Sequence, residues 1–341
     1  MNNFILTQSE ALQIEKLKNS NILVTGGTGF IGKWILEAVV FLNDNFAFNI
    51  KLYLLARHNN SFVNSKIIDR KDVVFIKNDI RSVGELPESI EYIIHAAVSP
   101  DNREHMSNPI DIMDIISQGT KQLLDASLHL NGLKKILNIS SGQVYGTINS
   151  GHIFETSNGV LNTNSIKSIY PEAKRYGETL GIAYKSLYKL PIVQVRPFSF
   201  IGPYMGLNKP WAINNFIHDA LKFKKIKILG NGKPIRSYMY PSDMVWWLFN
   251  MLLNGRVGTA YNLGSPEGIS LEDLAFKIKS KIGNEVQIDI QNMNNDSSLF
   301  VPDVSLVKNE LNLAIKVDID EALDKSLDWA LKYFEDKDDG K

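Results

Sequence analysis

Residues Thr25-Gly26-Gly27-Thr28-Gly29-Phe30-Ile31-Gly32 follow a short apolar run, Asn21-Ile22-Leu23-Val24, and lead into Lys33-Trp34-Ile35-Leu36-Glu37-Ala38-Val39-Val40. The order reads as strand, tight glycine turn, helix. Such a turn holds a pyrophosphate against the positive end of the helix, and a Cβ in it would keep the backbone away from the phosphates. Gly27-x-Gly29-x-x-Gly32 is the general dinucleotide fingerprint, and Thr25-Gly26-x-x-Gly29-x-x-Gly32 overlaps it. A helix start rich in glycine for packing alone has the same letters. The strand before it and the helix after it favour a bound dinucleotide.

Working outward, strand candidates alternate with helix candidates. Lys51-Leu52-Tyr53-Leu54-Leu55-Ala56, Val73-Val74-Phe75-Ile76, Tyr92-Ile93-Ile94-His95 and Lys135-Ile136-Leu137-Asn138-Ile139 are nearly continuous apolar runs. Strands of that kind are buried on both faces, as in a parallel sheet. Helical stretches lie between them, including Pro109 to Leu130 and Tyr170 to Tyr188. The pattern predicts an α/β fold, a Rossmann-type doubly wound parallel sheet with a smaller C-terminal substrate lobe. Residues 8 to 18 read as an amphipathic helix in a leader spanning 1–20. The dinucleotide-binding domain then covers 21–197. After Pro197 the segments shorten and Gly/Pro punctuation increases, so 198–334 is read mainly as the substrate lobe, with helices near Trp211 to Phe223 and Ser242 to Leu253. The charged tail 335–341 is expected to fray.

Bulk properties exclude several classes. Lys+Arg and Asp+Glu both number 37 in 341 residues, so no basic surplus points to nucleic acid or an anionic membrane. There is no cysteine, which excludes disulfides and cysteine-ligated metals and fits a cytoplasmic location. Runs such as Ala38 to Leu42 and Val245 to Phe249 are too short to span a bilayer. Asn138-Ile139-Ser140 matches a glycosylation acceptor but falls in a buried strand of the predicted sheet. His95, His105, His129 and His152 lack metal-ligand spacing, so no metal is expected; His95 is read as packed beside the cofactor. Trp246-Trp247 read as core and lobe-packing residues.

Two further motifs carry chemistry. In Tyr170-Pro171-Glu172-Ala173-Lys174, residues four apart share one helix face, which sets Lys174 beside the Tyr170 phenol. A free phenol has a pKa of about 10, and a nearby ammonium favours its ionised form. Upstream, Ile139-Ser140-Ser141-Gly142-Gln143-Val144-Tyr145-Gly146 places a serine just beyond a strand end, where it can reach a substrate oxygen that Tyr170 protonates or deprotonates. A solvated helix start and a plain Ser-rich turn are the bland readings. The order and spacing of glycine turn, serine and YxxxK argue against both.

With these motifs in place, the chain resembles the extended short-chain dehydrogenase/reductase family, the epimerases, dehydratases, decarboxylases and reductases of nucleotide sugars. The resemblance runs from about Asn21 to about Leu274. It is also carried by Asn78-Asp79-Ile80-Arg81, His95-Ala96-Ala97, Arg196-Pro197-Phe198-Ser199-Phe200-Ile201-Gly202-Pro203 and Arg236-Ser237-Tyr238-Met239-Tyr240-Pro241-Ser242-Asp243. It implies catalysis by Ser141, Tyr170 and Lys174. It implies a cofactor held by Gly26, Gly29, Phe30, Ile31, Gly32, Ala96, Tyr170 and Lys174, with Asp79 and Ile80 flanking its adenine. It further implies a nucleotide-diphosphate sugar contacted by Ser141, Gln143, Ser199, Asn215 and Arg236, the last on the diphosphate. A homodimer built on the helices at 109–130 and 170–188 is the family's common assembly.

The departures narrow the reaction. Family members usually place Asn at Ser199 and often at Ile116. Sugar 4,6-dehydratases typically place Asp-Glu after the serine, and decarboxylases typically keep a Glu; this chain has Gly142 and Gln143, neither of which exchanges a proton usefully. At the end of the second strand, Leu55-Ala56-Arg57-His58 lacks the acid that receives an NAD ribose, and Arg57 suits a 2′-phosphate. The reading is therefore NADP, with NAD as the alternative, and C4 reduction of a nucleotide-4-keto-6-deoxyhexose in polysaccharide precursor synthesis. A 4-epimerase with tightly bound NAD is the runner-up, ahead of a decarboxylase or 4,6-dehydratase. A catalytically silent nucleotide-binding scaffold is the non-enzyme alternative.

Overall fold

Residues 4–58, 67, 70–148, 151–292 and 297–338 are described by the structure, a computed structural model. In chain order they begin with α1 (Gln8–Gln13), β1 (Asn21–Thr25), α2 (Phe30–Phe46), β2 (Lys51–Ala56), β3 (Val73–Lys77) and β4 (Tyr92–His95). Then come α3 (Asn102–Ser107), α4 (Pro109–Ser127), β5 (Lys135–Ile139), α5 (Ile169–Tyr188), β6 (Ile192–Pro197) and β7 (Ser199–Phe200). The C-terminal part holds α6 (Ala212–Phe223), β8 (Lys225–Ile228), β9 (Ile235–Met239), α7 (Pro241–Asn254), β10 (Ala260–Leu263) and β11 (Gly268–Ser270). It ends with α8 (Leu271–Ile282), β12 (Gln287–Ile290), β13 (Leu299–Phe300), α9 (Ser305–Leu311) and α10 (Ile319–Asp338).

Seven strands form one sheet in the order β10-β6-β5-β4-β1-β2-β3, and every pairing in it is parallel. Alternate side chains enter opposite layers. Ile22 and Val24 join the core under α2 and α7, with Trp34, Ile35, Val245 and Leu248. Leu23 joins the other core with Leu123, Leu124 and Tyr184 of α4 and α5. Burial on both sides explains why the strands read as continuous apolar runs. The sheet does not stop at Pro197. Residues 260–263 return as β10 beside β6, and both Trp246 and Trp247 of α7 are buried in the main core. The C-terminal chain also builds the smaller sheets: β9 pairs with β7, β11 and β13, and β8 pairs with β12.

At the N-terminus the single leader helix read over 8 to 18 is corrected. The helix ends at Gln13, and a separate 3₁₀ turn covers Glu15–Leu17. Thr7 starts α1 with a capping box, its backbone N–H donating to the Glu10 carboxylate at 2.7 Å. Ile14 at the break is fully buried, so packing on the sheet interrupts the helix. At the other end α10 continues to Asp338, past residue 335 where fraying was expected; residues 339–341 lie outside the described ones. Asn138 donates to the Gln194 side chain at 2.7 Å inside the core, in keeping with the rejection of a glycosylation role. Among the described residues no helix is long and apolar enough to cross a membrane.

Candidate active site

The glycine turn joins β1 to α2 at the C-terminal edge of the sheet. Gly26 sits at φ +69°, and a Cβ there would meet the Ala96 carbonyl oxygen at 2.4 Å. Only glycine satisfies both demands. A Cβ on Gly32 would meet the Gly27 carbonyl oxygen, also at 2.4 Å, so this glycine lets helix and turn pack closely. Gly29 is the exposed N-cap of α2 and carries no side-chain cap, leaving the first N–H groups, including those of Phe30 and Ile31, to an outside acceptor. A Cβ on Gly29 would meet only the Gly26 oxygen, at 3.1 Å, and would otherwise fill the open floor of the turn. This cradle fits a pyrophosphate.

Beside it, β4 ends at His95. Its ring bridges Thr25 (Nδ1 to Oγ1, 2.7 Å) and Thr120 (Nε2 to Oγ1, 3.2 Å), and burial pushes its pKa down to about 3. His95 is thus a neutral spacer between the turn and α4. Farther along this edge, Asp79 caps a 3₁₀ turn and pairs with Arg81 at 2.8 Å, which holds its carboxyl down at about 2. Ile80 is buried against Gly119 of α4. Arg57 is exposed beyond β2 and lowers the Asp79 pKa through its charge.

The cluster of Ser141, Tyr170 and Lys174 is built where β5 ends and α5 begins. Ser141 caps a 3₁₀ turn by accepting from the Gln143 N–H at 3.1 Å. Its own proton remains available, and the hydroxyl favours the ionised form of Tyr170. The Lys174 ammonium donates to the Ile139 carbonyl at 2.7 Å and lies 5.8 Å from the Tyr170 ring centroid. The spacing in YxxxK sets Lys174 beside Tyr170, and the end of β5 brings Ser141 to them. The electrostatics differ from the expectation of a phenol tuned by an ammonium. Burial dominates: it pushes Tyr170 up to about 12, with Ser141 pulling the other way, and Lys174 down to about 7, with Glu178 partly opposing.

Gly142 has little room for a side chain beside Ser141. A Cβ at this position would meet Phe300 at 2.9 Å and Phe198 at 3.1 Å. Those two rings pack with centroids 4.6 Å apart. Gln143, next along, is exposed. Ser199 lies half-buried in β7 opposite Tyr238 of β9. Arg236 lies on β9, its guanidinium donating to the Ile235 carbonyl and to both the carbonyl and hydroxyl of Ser298. Asn215 is exposed on α6, while the neighbouring Asn214 is buried and donates to the Gly206 carbonyl at 3.1 Å. The structure thus gathers Ser141, Tyr170 and Lys174, and sets Arg57 and Asn215 outside that cluster. The His105 ring stacks on Tyr170, a contact that no motif spacing in the sequence signals because the two residues belong to separate helices. A groove of about 810 Å³ lies away from this chemistry, between β9, β11 and α8, and is lined by Ile235, Tyr238, Ile269 and Phe276. Among the described residues no acidic or histidine cluster suits a metal.

Residues 22–264 match the family model described as the NAD dependent epimerase/dehydratase family. The chain belongs to that family. It is accordingly an enzyme of the extended short-chain dehydrogenase/reductase kind, as the motifs implied. UDP-glucuronic acid decarboxylase 1 of Arabidopsis thaliana is 26% identical over 325 residues, covering 95% of this chain and 73% of the relative. Among solved structures, an epimerase from Methanothermobacter thermautotrophicus superposes with a TM-score of 0.82 at 20% identity, covering 96% and 97% of the two chains. The dTDP-glucose 4,6-dehydratase of Bacillus anthracis in complex with NAD gives 0.77 at 23% identity, with 93% and 98% covered. These likenesses support the Rossmann-type sheet. The relatives divide among decarboxylases, dehydratases and epimerases, and C4 reduction of a 4-keto sugar is not among the activities they name.

Proposed function

We propose that this enzyme oxidises and re-reduces C4 of a nucleotide-diphosphate-linked hexose, as a 4-epimerase. The observation that carries this reading is the Ser141–Tyr170–Lys174 group standing without a carboxylate at 142 or 143. Epimerisation needs one group to take and return the C4 hydroxyl proton, whereas elimination of water needs further acid–base residues. A bound nicotinamide supplies a reversible hydride acceptor. Tyr170, once ionised, would take the C4 hydroxyl proton and later return it to the same oxygen. Ser141 orients the oxygen. Lys174, with a donor left beyond the Ile139 carbonyl, holds a ribose hydroxyl and balances the phenolate charge. Arg236 meets the diphosphate from β9.

Arg57 supports a second reading, C4 reduction of a nucleotide-4-keto-6-deoxyhexose at the expense of NADPH, because it replaces the acid at the end of β2. Purified protein that releases NAD on denaturation and interconverts UDP-glucose and UDP-galactose without added reductant supports the epimerase. Strict NADPH consumption with a dTDP-4-keto-6-deoxyhexose supports the reductase. Silence on both, with dinucleotide still bound, points to a scaffold. Tyr170→Phe should lower turnover at least about 100-fold while leaving the NAD dissociation constant within about twofold; retained turnover refutes the assignment. UDP-glucuronic acid should give no CO₂. The absence of cysteine supports a cytoplasmic location, and exposed Met113, Tyr176, Ile182 and Leu187 on α4 and α5 support a homodimer, which light scattering would test.

A further inference from the structure

His105 lies on α3, outside every motif that identifies the family. Its ring is stacked on the phenol ring of Tyr170, with centroids 4.1 Å apart and planes inclined by 9°. It is 6% exposed, and its Nε2 donates to the Ser99 carbonyl at 2.8 Å, which fixes the ring from the edge. A ring met face-on and tethered through its edge is placed for packing, not for passing a proton to the phenol. Ile112 and Ile116 of α4, Ala173 of α5 and Val98 are the phenol's hydrophobic neighbours, while the Lys174 ammonium stands 5.8 Å from its ring centroid. His105 therefore supplies an aromatic wall to a slot whose other apolar groups are aliphatic.

The short helix that carries it is also anchored. The Asp101 side chain, only 2% exposed, caps α3 through the Arg103 N–H at 3.0 Å and pairs with Arg103 and Lys209. Lys209, in the connection between β7 and α6, reaches Asp101 at 3.0 Å and Glu104 at 3.5 Å. A six-residue helix has little stability of its own, so these ties decide where its side chains stand. They run from the C-terminal part of the chain, through α3, to the ring of Tyr170.

We infer that His105 is a positioning residue for Tyr170, holding the phenol in plane and away from water, and that Lys209 sets this contact by tying α3 to the segment after β7. The groups facing the imidazole are Tyr170 and Lys174 of α5, Glu104 on its own helix and Asp101 before it. Burial, opposed by the Ser99 bond and the two acids, lowers the imidazole pKa, so the stack is one of neutral rings near pH 7. The inference rests on Tyr170 being the proton-transfer residue. Its first readout nevertheless needs no substrate.

The full-length protein is labelled with 3-fluorotyrosine, and the Tyr170 ¹⁹F resonance is assigned by its loss in Tyr170→Phe. His105→Ala should shift and broaden that resonance, His105→Phe should restore a narrow line, and Lys209→Ala should broaden it to a lesser degree. With UDP-glucose as substrate, His105→Ala should lower kcat about 10- to 100-fold with KM and NAD affinity within about twofold, and His105→Phe should recover most of it. A Tyr170 resonance unchanged in His105→Ala overturns the inference, as does His105→Phe behaving like the alanine variant. Wild-type protein that turns over no nucleotide sugar counts against the proposed function, while the ¹⁹F result still decides the positioning role.

Discussion

Lys174 is costly to stability, and the proposed catalytic role would account for its retention. A buried ammonium with one carbonyl partner is a poor core residue, and burial pushes its pKa from an unfolded value of 10.5 to about 7. The folded chain therefore binds fewer protons than the unfolded chain between those values, and stability should rise with pH across that window. Lys174→Met removes the titration. We expect it to abolish turnover, to raise Tm by about 2 °C or more at pH 7.5, and to flatten the rise in Tm between pH 7.5 and 9.5. Differential scanning fluorimetry of both proteins over that range checks this; a steeper rise in the variant contradicts the assigned burial cost. Tyr170 shows the same tension in reverse, since its slot favours the neutral phenol.

Among the elements, the turn between β1 and α2 tolerates least. Gly26 combines a left-handed backbone with a 2.4 Å approach to the Ala96 carbonyl, and that oxygen belongs to backbone held at the end of β4. Gly26→Ala should cost about 1–3 kcal/mol from backbone strain alone and weaken NAD binding at least about tenfold, because relief must move either the cradle or β4. Urea denaturation and isothermal titration with NAD measure the two effects separately. Normal NAD affinity in the variant would argue that the cradle is not where the dinucleotide sits. Gly29, whose Cβ would meet only the Gly26 oxygen at 3.1 Å, should lose less stability and comparable affinity on the same change.

For the molecule as a whole, His95 links the two halves of the site to acid stability. It is buried between β1 and α4, and its folded pKa of about 3 lies below the unfolded value of 6.5. On acidification the unfolded chain takes the proton first, so the stability due to neutral His95 is present above about pH 6.5 and lost as pH falls toward 3. His95→Gln keeps a hydrogen-bonding side chain but does not titrate. The drop in urea midpoint between pH 7.5 and 5.0 should be smaller in this variant than in the parent, as followed by circular dichroism. An equal drop would place the acid sensitivity elsewhere, among residues such as His105.

Local order along the chain was enough to determine the α/β sheet, the glycine turn and the shared helix face of Tyr170 and Lys174. Each depends on contacts that chain geometry enforces at short range: a strand feeding a turn, alternation across a sheet, and residues one helical turn apart. Three other features were decided by long-range packing. The sheet receives its last strand from residues 260–263, the space beside Gly142 is filled by Phe198 and Phe300, and His105 meets Tyr170 from 65 positions away (170 − 105). The ionisation of the phenol also waited on the fold. Spacing puts Lys174 near Tyr170, but how dry the slot is depends on α3 and α4 closing around it, and desolvation there outweighs the opposing influence of Ser141.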